Sequence, residues 1–306
     1  MSAVTLTEDM ADLAADSAPA ARPAEAKPAP APMAKTEEDR FVRTTLGIKL
    51  QDWTRNAVVK GFPPALGLIL FVFLWALLSH FRHGLPGPLA TWDSAVQLFS
   101  DPFYDKGPND QGIGWNILHS LTRVGIGFGL AALVGIPVGF LIGRFDFLNR
   151  MLAPIISLLR PVSPLAWLPI GLLVFEKAGP ASMWVIFISS IWPMILNTAA
   201  GVSQVPQDYL NVARVLKLSE WKVFTKILFP SVLPHVLTGV RLSIGVAWLV
   251  IVAAEMLTGG VGLGFWVWDE WNNLNVEHIL IAIFVVGIVG LLLEQALMLV
   301  AKRFEY

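Results

Sequence analysis

The chain has 306 residues, of which 55% are hydrophobic and 15% charged, and its mean hydropathy is +0.62. This composition excludes an ordinary soluble domain and predicts an integral membrane protein. The net charge of −1 argues against a nucleic-acid partner, and the absence of Cys excludes disulfides, thiolate catalysis and Cys-ligated metal sites.

Residues 1–39 are rich in Ala, Pro and charged side chains. They hold twelve Ala, five Pro, eight acidic and three basic residues, and such a segment buries too little apolar surface to offset its ordering entropy. It also lacks the basic start, apolar centre and cleavage site of a secretory signal. We therefore predict a disordered cytoplasmic tail over 1–39, followed by a basic juxtamembrane segment over 40–61.

Apolar stretches of bilayer length recur through the rest of the chain and define a transmembrane domain over 62–306. Each is predicted to be a helix, because roughly 20 helical residues cross a ~30 Å hydrocarbon core and only a helix satisfies its own backbone there. The six stretches are 62–79, 120–143, 151–175, 181–201, 233–257 and 278–301. Kinks are predicted at Pro154, Pro161, Pro164, Pro169 and Pro193. The predicted fold class is an all-α membrane protein with six transmembrane helices.

Basic residues near the span ends predict the orientation, because Lys and Arg are retained on the cytoplasmic side. With both termini inside, three basic residues fall on the outer face, Arg82, Lys106 and Lys177. The cytoplasmic face then collects Arg40, Arg43, Lys49, Arg55, Lys60, Arg144, Arg150, Arg214, Lys217, Lys222, Lys226, Lys302 and Arg303. We predict a multi-pass protein of the bacterial plasma (inner) membrane with both termini cytoplasmic.

The stretch between the fourth and fifth spans, residues 203–232, has helical periodicity but is too polar to cross the bilayer. It predicts two short helices, the first beginning at Pro206 and the second capped by Ser219 and running toward Pro230. The first has an apolar face formed by Tyr209, Val212, Val215 and Leu216, opposite Asp208, Asn211 and Arg214. An interfacial helix lying on the inner leaflet without a partner is the alternative.

This stretch resembles the cytoplasmic signature of binding-protein-dependent ABC importer permeases, in which an acid-Ala-Ala triplet is followed by a Gly and later by Ile-x-Leu-Pro. Residues 211–213 (Asn-Val-Ala) stand at the triplet, Lys217 at the Gly and residues 227–230 (Ile-Leu-Phe-Pro) at the closing element. Asn211 replaces the usual Glu and Lys217 the usual Gly, as in the nitrate and bicarbonate branch of that family.

The resemblance spans roughly residues 115–303. It includes the run LLRPVSPLAWLPIGLLVFEKAG at 158–179 and the run AWLVIVAAEMLTGGVGLGFWVWDEWNN at 247–273, which is similar to nitrate-type permeases. It implies a type I, MetI-like permease fold with a coupling helix between helices 4 and 5 that docks on a separate ATPase. The implied coupling residues are Tyr209, Asn211, Val212, Ala213, Val215, Leu216, Lys217, Ile227 and Pro230.

The same resemblance implies the permease subunit of an ATP-driven importer for nitrate or nitrite, with bicarbonate, cyanate or sulfonate/taurine as alternatives. The implied partners are cytoplasmic ABC ATPase subunits, a periplasmic or lipid-anchored solute-binding protein, a second permease copy in a homodimer, and membrane lipid. No cofactor, metal or catalytic residue is expected, and ATP hydrolysis is assigned to another subunit because the sequence lacks a Walker-type loop. Two alternatives of a different functional class are a solitary ion-coupled carrier and a membrane enzyme.

Ionisable residues inside the spans are expected to face a cavity or a partner. Helical rise places Arg241 and Glu294 at matched depth, and Arg123 and Glu255 together near the outer boundary, so both are candidate ion pairs. Arg160 has no obvious partner. It is a candidate for the anion pathway, or else its guanidinium satisfies carbonyls freed by the neighbouring prolines.

Two further features lie near the outer end of the fifth span. The run GGVGLG at 259–264 lacks the Lys of a phosphate loop and predicts a tight re-entry turn. Asp269 and Glu270 lie among Trp266, Trp268 and Trp271, a pattern typical of an interfacial belt. Contact with a solute-binding protein is the alternative for this cluster.

Overall fold

A computed structural model describes residues 61–303 with the exception of His83. The predicted tail at 1–39 and the juxtamembrane segment at 40–61 lie outside the described residues, apart from Gly61. The chain divides between Leu68 and Ile69 into two units. Of the first unit, only residues 61–68 are described.

The described part of the chain is helical apart from a short hairpin and loops. The helices are α1 (Gly61–Phe81), α2 (Pro88–Leu98), α3 (Ile113–Arg144), α4 (Asp146–Leu159), α5 (Leu168–Phe175), α6 (Ala178–Ser203), α7 (Gln207–Val215), α8 (Glu220–Val223), α9 (Phe229–Thr258), α10 (Leu263–Asn272) and α11 (Val276–Lys302). The hairpin pairs β1 (Asp105–Gly107) with β2 (Asp110–Gln111) in antiparallel orientation. A 3-10 turn at Pro164–Trp167 precedes α5, and a π-helical turn at Phe224–Leu228 joins α8 to α9.

Five helical runs are long and apolar enough to cross a membrane: α1, α3, α6, the continuous run Glu220–Thr258, and α11. The pair formed by α4 and Pro164–Phe175 adds a sixth if it is counted as one bent span. The six-span prediction is therefore consistent with this all-α fold. The stretch 151–175, however, is not one straight helix, since its two halves meet at 96°. Pro161 and Pro164 lie at this break, where proline removes backbone donors and restricts the preceding residue.

The prediction of a separate second helix ending near Pro230 is wrong, because the helix continues through this residue to Thr258. Pro230 would clash in a regular α-helix with the carbonyl group of Lys226, four residues earlier. The π-helical turn Phe224–Leu228 immediately precedes Pro230, and its wider i to i+5 geometry avoids that clash. Helix α2, the hairpin and helix α10 were not predicted.

Helix α6 packs closely against both α3 and α9. On α3, a Cβ atom added at Gly127, Gly139 or Gly143 would lie only 2.6 to 2.8 Å from atoms of α6. On α9, the Ser243 hydroxyl donates to the Ser190 carbonyl of α6 at 2.7 Å. Small residues let membrane helices approach this closely. These contacts set the relative positions of α3, α6 and α9, and α3 and α9 carry charged residues.

Candidate functional site

Glu255 near the end of α9 is fully buried and joins α9 to α3. Its carboxylate accepts hydrogen bonds from the Arg123 guanidinium at 2.6 Å and from the Ser120 hydroxyl at 2.7 Å. The structure thus brings Arg123 and Glu255 together. A buried carboxylate needs such partners, because an unpaired charge in low dielectric is costly.

The same cluster holds the beginning of α10. Three successive amides, those of residues 262–264, donate to the side chains of Asn116, Ser120 and Glu255 at 2.8, 2.9 and 3.1 Å. These are amides that a helix N-terminus leaves without internal partners, and a carboxylate there also favours the helix dipole. The glycine-rich turn therefore connects α9 to α10. Its three amides are already hydrogen-bonded to side chains of this chain.

Sequence reasoning missed Asn116 and Ser120. A signal existed, because Asn116, Ser120 and Arg123 are spaced i, i+4 and i+7 and so lie on one face of α3. A polar row of this kind in an apolar span indicates a buried polar partner, which here is the carboxylate of Glu255.

The structure also brings together Arg241 and Glu294. The Nη2 atom of Arg241 lies 2.5 Å from the Oε1 atom of Glu294, and Nε donates to the same oxygen at 3.1 Å. Their side chains are 52% and 42% exposed, at one end of an open groove of about 710 Å³ between α9 and α11. The pair is therefore formed, and the described part of the chain leaves it about half exposed.

Arg160 lies at the break after α4 and is exposed. Among the described residues its side chain makes no ion pair and no hydrogen bond, including to the carbonyls near Pro161 and Pro164. It borders two open cavities. One, of about 190 Å³, has Ser189 and Trp192 of α6 in its wall, and the other, of about 400 Å³, lies beside Ile156 and Leu196. The guanidinium is consequently available to a group from outside the described chain.

The apolar face of α7 is directed away from the core of the chain. Leu210 and Ala213 are buried against α6, α8 and α9. The opposite residues are each more than half exposed, and they are Tyr209, Val212, Val215 and Leu216. Asn211 is also exposed and accepts a hydrogen bond from Arg214 at 3.1 Å. Of the candidate coupling residues, Ala213 is therefore buried within its own chain.

Lys217 ends α7 in a left-handed conformation, with φ of +50°. The next amide, that of Leu218, donates to the carbonyl of Ala213 at 3.0 Å, which is the long bond of a Schellman cap. Glycine is the residue that adopts this conformation without strain. This geometry gives a physical reason for the Gly that the signature normally has at this position.

Aromatic contacts attach this segment to the end of α3. Phe140 of α3 contacts Phe224 of the π-helical turn, with ring centroids 5.2 Å apart, and stacks on Phe229 at 6.4 Å. Ile227 is half-buried in the same cluster, whereas Pro230 is exposed at the beginning of α9. The segment that follows α7 therefore packs against both α3 and α9.

The acidic and tryptophan-rich part of α10 contacts α11 on one side and is exposed on the other. Trp266 is buried and stacks on His278 of α11, with ring centroids 5.7 Å apart, and the His278 Nδ1 atom lies 3.0 Å from the Glu270 carboxylate. Trp268 and Trp271 are exposed. Among the described residues, no cluster of His, Asp and Glu is arranged to hold a metal ion.

The chain matches a known protein family and several of its members. Residues 135–306 match the family of binding-protein-dependent transport system inner membrane components. The chain is 48% identical over 237 residues to the nitrate import permease protein NrtB of Synechocystis sp., covering 77% of this chain and 86% of that protein. It is 43% identical over 274 residues to the bicarbonate transport system permease protein CmpB of the same organism, covering 88% and 98%.

Solved structures show the same fold at low sequence identity. The inward-facing MetNI methionine ABC transporter matches with a TM-score of 0.55 and 15% identity, covering 62% of this chain and 95% of that chain. An amino acid ABC transporter matches with a TM-score of 0.53 and 15% identity, covering 70% and 97%.

The chain therefore belongs to the binding-protein-dependent transport system inner membrane component family. It is a membrane permease subunit of an ABC transporter with a MetI-like fold, and it is a transport component rather than an enzyme.

Proposed function

We propose that this chain is the permease subunit of an ATP-driven importer that carries nitrate or nitrite. The proposal is supported by two relatives whose names state nitrate import, at 48% and 46% identity. Bicarbonate is the second candidate, because relatives named as bicarbonate permeases are 43% to 45% identical. In either case the cargo is a small oxyanion.

The observation that carries the ATP-driven mechanism is the exposed apolar face of α7. Burying one such side chain against a partner contributes about 1.5 to 3 kcal/mol. This stabilisation is absent while the side chain is exposed to water. We propose that an ATPase subunit covers this face on the cytoplasmic side of the membrane. Ala213 and Ile227 then pack the docking segment against its own chain, whereas Lys217 and Pro230 are exposed beside the docking face.

The docking proposal is tested by placing a charge within the apolar face. Val212→Asp and Leu216→Asp should each abolish co-purification of the ATPase while membrane insertion remains normal, because a carboxylate would be desolvated in the interface. Gln207→Glu is the matched control, since it adds the same charge at the favourable N-terminal turn of α7. The control should retain the ATPase.

Undiminished co-purification with both Asp variants would overturn the docking assignment and favour a helix that lies on the membrane surface. A transport assay then separates the classes of function. The permease should import labelled nitrate only when the ATPase and a solute-binding protein are present, whereas a solitary carrier would transport without them. Parallel assays with labelled bicarbonate decide between the two cargo candidates.

The remaining parts of the proposal concern assembly and path. Two copies of this chain form the channel as a homodimer, with both termini cytoplasmic, and the solute-binding protein meets the opposite face near α10. Arg160 is the candidate residue of the anion pathway. The ion pairs Arg123–Glu255 and Arg241–Glu294 hold the helices that border it.

A further inference from the structure

Charged residues at membrane depth share one open face of this chain. Arg241 lies near the middle of α9, and Glu294 lies about 12 Å from the end of α11 by helical rise. Both remain about half exposed. Charged side chains inside spans almost always border water or protein rather than hydrocarbon. We therefore expect water or a second protein, rather than lipid, beside this ion pair.

Val246 of α9 connects this groove to Arg160. Its side chain lines both the groove that Arg241 and Glu294 border and the 190 Å³ cavity that Arg160 borders. The two cavities therefore adjoin at Val246, one on the α6 side of α9 and the other on the α11 side. Arg160, which is charged as well, is likewise expected to border water or protein rather than lipid.

The charges of this face do not cancel. Glu294 neutralises Arg241 at 2.5 Å, but no carboxylate in the described part of the chain lies within ion-pair distance of Arg160. Arg160 is exposed in the chain, and the lower dielectric of a membrane-embedded path would strengthen its attraction for an anion. Arg160 thus supplies an uncompensated positive charge.

The size and walls of the cavity define the class of anion. A volume of about 190 Å³ is smaller than the 300 to 1,000 Å³ typical of sites for drug-sized ligands. Ile188 and Val246 provide apolar walls. Trp192 is also part of the wall, and its side chain makes no hydrogen bond among the described residues. The guanidinium fork matches the O–X–O edge of a planar oxyanion.

We propose that the cavity between Arg160, α6 and α9 is a transient binding site for a small planar oxyanion crossing the membrane, held through the Arg160 fork. This inference rests on the proposed function. Nitrate, nitrite and bicarbonate all present the required O–X–O edge, so the site selects the chemical class and leaves finer selection to other components.

The first test uses the complete transporter with its ATPase and solute-binding protein, and labelled nitrate as the probe. Arg160→Gln should lower nitrate import at least tenfold with normal co-purification of the ATPase, and Arg160→Lys should be intermediate because it keeps the charge but loses the fork. Arg150→Gln is the matched control. Arg150 also belongs to α4, but it pairs with Asp146 at the surface, where such pairs contribute little.

A second test does not require a change at Arg160. Val246→Asp places a carboxyl group in the cavity wall, where it should ionise beside the Arg160 guanidinium, pair with it and compete with nitrate. Val246→Asn has nearly the same shape without the charge. Import by the Asp variant should fall at least tenfold below import by the Asn variant, with both variants assembled. This comparison decides the matter if Arg160→Gln does not assemble.

A well-assembled Arg160→Gln variant that imports nitrate at the parental rate would overturn the inference, as would equal import by the Val246→Asp and Val246→Asn variants. Both results presuppose that the parental transporter imports nitrate. If the parental complex imports neither nitrate nor bicarbonate, the proposed function itself is wrong, so the two failures are distinguishable.

Discussion

The guanidinium of Arg123 lies 2.6 Å from the carboxylate of Glu255, and the same carboxylate accepts the amide of Gly264. One buried side chain therefore links α3, α9 and the beginning of α10. Asn116, Ser120 and Glu255 thus hold the glycine-rich turn through its backbone amides alone.

Glu255→Ala should destabilise the protein by about 3 to 5 kcal/mol, the cost of leaving the partner of a buried pair without its counter-charge. The thermal unfolding midpoint of the detergent-solubilised permease measures this loss. Glu277→Ala removes an acid from the first turn of α11 that makes no ion pair among the described residues, and it should leave the midpoint nearly unchanged. Equal midpoints for the two variants would contradict the proposed role of Glu255.

Arg241 and Glu294 should behave as a coupled pair. Each single substitution by Leu leaves the other charge unpaired at membrane depth, whereas the double substitution removes both charges. The double variant should therefore be less destabilised than the sum of the single variants, as measured in a double-mutant cycle of thermal stability. Additive effects would show that the contact does not contribute to stability.

The glycines of α3 should differ sharply in their tolerance of a methyl group. A Cβ atom at Gly139 would lie 2.7 Å from the carbonyl oxygen of Ile195, whereas one at Gly125 would have no neighbour within 4 Å. Gly139→Ala should therefore cost about 1 to 3 kcal/mol through overpacking. Gly125→Ala should be neutral or slightly stabilising, since Ala favours the helix. Unfolding midpoints of the two variants test the difference directly.

The stability of variants at Lys217 should depend on how well each residue adopts the left-handed backbone conformation at this position. Lys217→Gly removes the strain of a non-glycine residue in this conformation, which is about 1 to 2 kcal/mol, although glycine gives back part of this through its greater freedom when unfolded. Lys217→Val should be worse than the parent, because β-branched residues are poorly tolerated there. The order Gly, Lys, Val in thermal stability is expected, and Val equal to Gly would contradict it.

The sequence predicted the apolar helices and the exposed face of α7 because both depend on local periodicity. It did not predict α10 or its attachment, since that helix is short and is held by Asn116 and Ser120 from a segment more than 140 residues away. The break beside Arg160 was foreseen only as a kink, because proline indicates where a helix is weakened but not the angle that packing then selects. The pairing of Arg241 with Glu294 could be proposed from depth alone because helical rise is regular.

The π-helical turn between α8 and α9 also determines rotational phase. A helix advances about 100° per residue. Deleting one residue between Ser219 and Pro230 would therefore rotate the α7–α8 segment by about that angle around the axis of α9. Every side chain of α7 would be unchanged, yet Leu210 and Ala213 would no longer meet their present neighbours. The length of this short stretch, as well as its composition, therefore decides which surface of the segment is offered to a partner.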